Sequence, residues 1–151
     1  AVMQRLVHKA TARLRRYKLW ARGFSAYVSF VNTDRQGIPT QESWGRSIRV
    51  IEAQDTNSFL HALEDLWKEC PEGKPLKVGM VLYDLVEDVG HTLSIFGEEK
   101  SVNLSATLDR VNQKFGSNSA YFGGIHTVRT SAPTRIAFTQ IPEVADIEDA
   151  D

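Results

Sequence analysis

The stretch "GFSAYVSFV" (residues 23–31) decides the fold of this chain, because apolar and polar side chains alternate along it. A strand has a side-chain period of two, so alternate residues share one face. Ser25, Tyr27 and Ser29 therefore lie on the face opposite the apolar one. The apolar face carries Phe24, Ala26, Val28 and Phe30. This pattern predicts a strand with one side in a core and the other side open.

Two amphipathic segments flank this strand and predict helices that cover its apolar side. The first, over about residues 2–19, repeats apolar residues at helical spacing. Its apolar positions are Met3, Leu6, Val7, Ala10, Leu14 and Tyr17, and a separate basic stripe carries Arg5, Lys9, Arg13 and Arg16. Asp55 is a favourable N-cap for the second helix, "TNSFLHALEDLWKE" (residues 56–69), which stops before Pro71.

Two more extended segments complete the predicted sheet, "WGRSIRVIE" (residues 44–52) and "LKVGMVLYDLV" (residues 76–86). The turn formers of "NTDRQGIPTQ" (residues 32–41) predict a long hairpin loop between the first two strands. The inward residues of the last strand are Leu76, Val78, Met80 and Leu82. The order helix, strand, strand, helix, strand predicts an α+β fold, an antiparallel sheet with two helices on one face. A small C-terminal helix from Leu104 to Phe115, capped by Gly116, and short strands follow.

The open face of this sheet is predicted to carry small polar, aromatic and basic side chains. They are Ser25, Tyr27, Ser29, Ser47, Arg49, Lys77 and Tyr83. Hydroxyl and basic groups on an open sheet can approach phosphates without reading bases. On the residues alone two interpretations stay open, a phosphate-binding surface and an ordinary solvated sheet face.

Composition and charge narrow the function classes. The 151 residues suit one domain, and a single cysteine, Cys70, excludes an internal disulfide framework. No apolar run reaches the roughly 18 residues of a membrane span, so no membrane partner is expected. The net charge is −1, but residues 1–33 hold no Asp or Glu and the last eleven residues hold no Lys or Arg. The chain opens at Ala1 within a helical pattern, which favours a fragment of a longer protein.

No catalytic or metal-binding pattern is found in the sequence. The histidines and Cys70 occur singly, without the spacing of a metal site. No nucleophile elbow, phosphate-binding loop or dinucleotide glycine pattern occurs. The carboxylates of Asp84, Glu87 and Asp88 follow one strand end without a second set that would complete a two-metal centre. We therefore expect no catalysis, no metal and no cofactor in this chain.

Several runs together resemble the little finger domain of Y-family translesion DNA polymerases, of the polymerase IV and polymerase V catalytic-subunit type. They are "LVHKATARLRRYKLWARGFSAYVSF", "LHALEDLWKE" and "PLKVGMVLYDLV", within residues 1–88. The run "LSATLDRVNQKFGSNSAYFGG" (residues 104–124) resembles the C-terminal extension of the polymerase V catalytic subunit and its relatives. The resemblance divides the chain into a DNA-binding domain (1–88), a linker (89–100), a C-terminal extension (101–141) and an acidic tail (142–151).

The resemblance implies a non-catalytic fragment that grips duplex or primer–template DNA through backbone phosphates in DNA damage tolerance. The catalytic carboxylates and their Mg²⁺ would belong to a palm upstream of Ala1, and the parent protein would act in the bacterial cytoplasm at the nucleoid. Family contacts cluster on the open face of the sheet. By position they fall on Ser25, Tyr27, Arg46, Ser47, Arg49, Lys74 and Lys77. The family's linker strand is absent, so the sheet is expected to lack an edge or to recruit "TRIAFTQI" (residues 134–141).

The resemblance also bears on "TLSIF" (residues 92–96), which lies where these polymerases carry a sliding-clamp-binding pentamer, Gln-Leu-x-Leu-Phe. Leu93, Ile95 and Phe96 keep the apolar anchors, whereas Thr92 replaces the Gln. A clamp-binding peptide and a plain structural strand both remain open as interpretations. A protein-interaction module of a polymerase-like accessory subunit, which docks the clamp or repair partners, is the alternative to the DNA-binding function.

Overall fold

The computed structural model describes residues 2–33, 36–88, 99–116, 119–123 and 126. The elements are α1 (Val2–Arg16), β1 (Leu19–Thr33), β2 (Pro39–Ala53), α2 (Thr56–Trp67), β3 (Pro75–Glu87) and α3 (Glu99–Phe115). The three strands form one antiparallel sheet in the order β2-β1-β3. The predicted α+β fold is confirmed. Within the described residues, no helix is long and apolar enough to cross a membrane.

The core lies between the sheet and the two helices α1 and α2. Phe24 of β1 and Phe59 of α2 are fully buried, with ring centroids 6.1 Å apart. Burying a side chain of this size contributes roughly 1.5–3 kcal/mol, so the alternating strand residues and the helix stripes hold the layers together. The other buried apolar residues of α1, β1 and α2 include Met3, Leu6, Val7, Leu14, Ala26, Val28, Phe30, Ala62, Leu63 and Leu66.

The first helix is shorter than its apolar spacing predicts. It ends at Arg16, and Lys18 takes a positive φ of 55°, which turns the chain into β1. β1 therefore begins at Leu19, four residues before the predicted Gly23. Ala21 and Phe24 are both buried although they are three residues apart, because the register with β2 shifts between Ala21 and Gly23. Such an irregularity changes which residues of the strand face the core, and no local sequence pattern predicts it.

The expected inward position of Leu76 is wrong. Its side chain is 62% exposed, whereas Val78, Met80 and Leu82 pack against the core as predicted. The β1–β3 register slips at this end of β3, so that Phe30 pairs with Pro75 and Ser29 pairs with Lys77. Leu76 is left without a paired residue on β1. A one-residue slip of the register turns its side chain away from the core.

The hairpin and α2 also differ from the sequence expectation at their ends. β1 runs to Thr33 and β2 begins at Pro39, so half of the predicted 32–41 loop is strand. Asp55 caps α2 as predicted, because its carboxylate accepts a hydrogen bond from the Ser58 backbone N–H at 3.0 Å. The helix ends at Trp67 rather than at residue 69.

The third helix docks on the domain through its polar side. It begins at Glu99, before the predicted Leu104, and is followed by Gly116 with a φ of +99°, as its predicted cap role requires. The Arg15 guanidinium donates to Asp109 Oδ1 at 2.9 Å and to the Gln54 carbonyl at 2.8 Å. The Ser101 hydroxyl lies 2.6 Å from the Asp55 carboxylate, and Ser105 is fully buried against the start of α2. Leu104 and Phe115, which define the helix in the sequence, are instead exposed.

Candidate nucleic-acid interface

The face of the sheet that the helices leave uncovered is called the open face below. Antiparallel pairing of β2 and β3 with β1 aligns its residues in rows across the three strands. Cross-strand neighbours on one face lie close enough for their side chains to touch. From one end of the sheet to the other, the rows are Ser43–Ser29–Lys77, Gly45–Tyr27–Gly79, Ser47–Ser25–Val81 and Arg49–Gly23–Tyr83.

Five of the seven predicted DNA-binding residues lie together on the open face, namely Ser25, Tyr27, Ser47, Arg49 and Lys77. Ser47, Arg49 and Lys77 are exposed, and Tyr27 keeps 39% of its surface accessible. Among the described residues none forms an ion pair with Lys77. The sequence therefore placed these five side chains on the open face, because side chains alternate with a period of two where β2 and β3 pair with residues 23–29 of β1.

Arg46 does not share this face. It pairs with Ala26, whose side chain is buried beneath the helices, and its Nε lies 3.3 Å from Glu69 Oε2 just beyond α2. Its expected position beside Ser47 and Arg49 is therefore wrong. Neighbouring residues of a strand point to opposite faces, so a position-by-position transfer cannot keep both Arg46 and Ser47 on one side.

Lys74 lies just before β3 at the end of the sheet that carries Lys77. Its side chain is exposed, and its carbonyl accepts a hydrogen bond from the Val31 N–H at 3.2 Å. This bond ties the segment ahead of β3 to the end of β1. Lys74 thus borders the open face without belonging to one of its rows.

Arg49 has an acidic neighbour that the sequence did not assign to it. Its Nη2 lies 3.2 Å from Asp84 Oδ2, and the two side chains are 76% and 37% exposed. An ion pair with this exposure contributes little stability, so a phosphate can compete for the arginine. Asp84 has a positive φ of 56°, a conformation that Asp and Asn adopt more readily than most residues. In the sequence, Asp84 was considered only as one of three carboxylates near the end of the last predicted strand.

Two tyrosines of the open face lie across glycines of the neighbouring strand. A Cβ placed on Gly79 would be 2.1 Å from both Cζ and Oη of Tyr27. A Cβ placed on Gly23 would be 2.3 Å from Cε2 and Cζ of Tyr83. The rings therefore lie along the sheet instead of standing away from it. A glycine inside a strand pattern, such as Gly79, is the sequence signal that could have indicated this close approach.

Among the described residues, His8 has the most strongly shifted pKa, and it lies outside the open face. Burial is the main reason that its pKa is lowered from 6.5 to about 4, and the nearby positive charge of Arg15 acts in the same direction. The carboxylate of Asp109 opposes both effects. His8 lies on the helix side, against the ring of Phe122 at 5.5 Å between centroids. Its lowered pKa therefore reflects the packing of α1 against Phe122 and Arg15, and not the environment of the open face.

The sequence predicted a clamp-binding peptide and no metal site. In the described ranges, no group of three or more His, Cys, Asp or Glu side chains could hold a metal ion. The predicted clamp-binding residues Leu93, Ile95 and Phe96 lie outside the described residues, as does the "TRIAFTQI" segment. The sheet order β2-β1-β3 contains only strands from residues 19–87.

The fold and this face define an α+β domain with helices on one side of a three-stranded sheet and a surface of hydroxyl groups, Arg49 and Lys77 on the other. Residues 1–105 match the family model described as the impB/mucB/samB family C-terminal domain, and the chain belongs to this family. It is the non-catalytic C-terminal domain of Y-family polymerases, which confirms the resemblance to a little finger. The family implies DNA as the general kind of partner. A comparison with curated proteins found no match.

Proposed function

We propose that this domain grips duplex or primer–template DNA through backbone phosphates, on the open face, during translesion synthesis by its parent polymerase. The observation that carries the proposal is the placement of Ser25, Ser47, Arg49 and Lys77 on one exposed face, with all described helices that pack on the sheet on the other side. The proposal includes a parent protein that uses Mg²⁺ at a separate catalytic palm and works in the bacterial cytoplasm at the nucleoid.

The chemistry of the face suits phosphates better than bases. Lys and Arg side chains neutralise phosphate charge, and hydroxyl groups donate hydrogen bonds to phosphate oxygens without carrying sequence information. The face lacks a protruding helix that would enter a major groove, because the helices of the described core pack on the opposite side. Binding is therefore expected to be independent of DNA sequence, as translesion synthesis across varied templates requires.

The test is the salt dependence of binding to a short duplex. If about four phosphates are contacted, log K falls with log salt at a slope of about −3.6. The double variant Arg49→Ala/Lys77→Ala should flatten this slope by about 2, because each cation lost removes about one phosphate contact. Fluorescence anisotropy at several salt concentrations measures both values.

The matched control removes two positive charges from the other side of the sheet. Arg46 and Lys68 are exposed, and each already faces a carboxylate, Glu69 and Asp65 respectively. Arg46→Ala/Lys68→Ala should leave the slope within error of the wild-type value. Equal flattening by both double variants would mean that net charge, and not the open face, determines binding.

A second candidate function is sliding-clamp docking by "TLSIF" (residues 92–96), in keeping with a protein-interaction module. It is favoured by the anchor spacing of Leu93, Ile95 and Phe96 and by Gly90 and Gly97 on either side. Burial of a Leu or Phe in a partner contributes roughly 1.5–3 kcal/mol before ordering costs, which suits a modest affinity. Titration of the chain against its cognate clamp tests this function. Binding that survives Leu93→Ala/Phe96→Ala would contradict it.

A further inference from the structure

Gly79 and Gly23 have no backbone requirement for glycine, although both lie inside strands. Among the described glycines only Gly37 and Gly116 have positive φ. Glycine in a strand interior loses more conformational freedom on folding than alanine and offers no side chain to pack. What the two positions supply is space above the backbone, and the rings of Tyr27 and Tyr83 occupy that space.

The height of the Tyr27 ring above the sheet matters because serines lie in the rows on both sides of it. Its row lies between the Ser43–Ser29–Lys77 row and the Ser47–Ser25–Val81 row. A serine hydroxyl is one bond beyond Cβ, whereas a tyrosine that stands away from the sheet extends several bonds further. A standing ring in the middle row would keep a phosphate away from the hydroxyl groups on both sides. A ring that lies flat across Gly79 leaves room for a DNA phosphate to contact these hydroxyl groups.

We propose that Gly79 and Gly23 are positioning residues of the DNA-binding face. They hold the rings of Tyr27 and Tyr83 flat, so that backbone phosphates reach the serine hydroxyls, Ser25 above all. This inference rests on the proposed function. It adds that hydrogen bonds from the serine hydroxyls of the open face contribute to DNA affinity, together with the charges of Arg49 and Lys77. The same flat ring also presents an aromatic surface to the sugar and backbone of the DNA.

The test compares two single variants, each of which adds one methyl group to a glycine that pairs with Tyr27. Gly79→Ala places a Cβ 2.1 Å from the ring and must displace it. Gly45→Ala is the matched control, because its Cβ would meet Tyr27 Cβ and the Ala26 carbonyl at an ordinary 3.7 Å. Loss of one or two hydrogen bonds to phosphate predicts about tenfold weaker duplex binding for Gly79→Ala. Gly45→Ala should bind like the wild type.

A second measurement separates positioning from a general disturbance of the sheet. Ser25→Ala should weaken binding in the wild-type background and have no further effect in the Gly79→Ala background, where a phosphate can no longer reach the hydroxyl. Gly79→Ala should likewise have no effect once Tyr27→Ala has removed the ring. If Gly79→Ala fails to fold, Gly23→Ala with and without Tyr83→Ala repeats the same cycle at the other end of the face.

The outcomes distinguish this inference from the proposed function. Equal affinities of Gly79→Ala and Gly45→Ala, or an unchanged Ser25→Ala effect in both backgrounds, would overturn the positioning role. If Arg49→Ala/Lys77→Ala still flattens the salt slope in that case, phosphate binding by the open face stands without it. If none of these variants changes binding, both proposals fail.

Discussion

His8 should make the folded domain lose stability as the pH falls from about 6.5 to 4. Its ring lies against Phe122, and its Nε2 is buried without a hydrogen-bond partner among the described residues. Burial, reinforced by the charge of Arg15, lowers its pKa from 6.5 to about 4. The unfolded chain therefore binds a proton below pH 6.5 that the folded chain binds only near pH 4.

The magnitude follows from this difference in pKa. One pKa unit corresponds to about 1.4 kcal/mol, so the interval between 6.5 and about 4 sets an upper value of about 3 kcal/mol. The ring keeps partial contact with solvent, which screens the effect, and we expect a loss of about 1–2 kcal/mol. The stabilisation of the folded state by neutral His8 is complete above pH 6.5 and is lost progressively as the pH falls towards 4.

The assay compares urea unfolding of the wild type and His8→Gln at about pH 7.5 and about pH 5. All other ionisable groups are the same in both proteins, so their effects cancel in the difference between the two pH dependences. The wild type should lose about 1–2 kcal/mol more than His8→Gln between these pH values. Identical pH dependences of the two proteins would refute the reasoning.

Three further predictions concern packing and register. Arg15→Ala should lower the free energy of unfolding by about 1–3 kcal/mol, because it leaves Asp109 and the Gln54 carbonyl without their donor. In a double-mutant cycle measured by denaturant unfolding, the effects of Arg15→Ala and Asp109→Ala should be less than additive. Asp55→Ala should cost about 1 kcal/mol through loss of the α2 N-cap, measured by thermal unfolding. Leu76→Ala should change stability by less than about 0.5 kcal/mol, and a cost of about 2 kcal/mol or more would place Leu76 in the core after all.

The local sequence determined the elements and the two faces of the central strand. Alternation in residues 23–31 predicted which side of β1 is buried, and helical spacing predicted α1 and α2. Asp55 and Gly116 were recognised as caps, since a cap is a relation between residues a few positions apart. Ser25, Tyr27, Ser47, Arg49 and Lys77 were placed on the open face for the same reason, because the period of a strand is a local property.

Only the tertiary structure decided the relations between distant residues. The register slip that exposes Leu76 depends on how β3 pairs with β1, and the flat ring of Tyr27 depends on a glycine 52 positions further along the chain, at Gly79. The contact of Arg15 with Asp109 joins residues 94 positions apart. Periodicity describes one segment at a time, whereas register, cross-strand contacts and ion pairs arise when separate segments pack together.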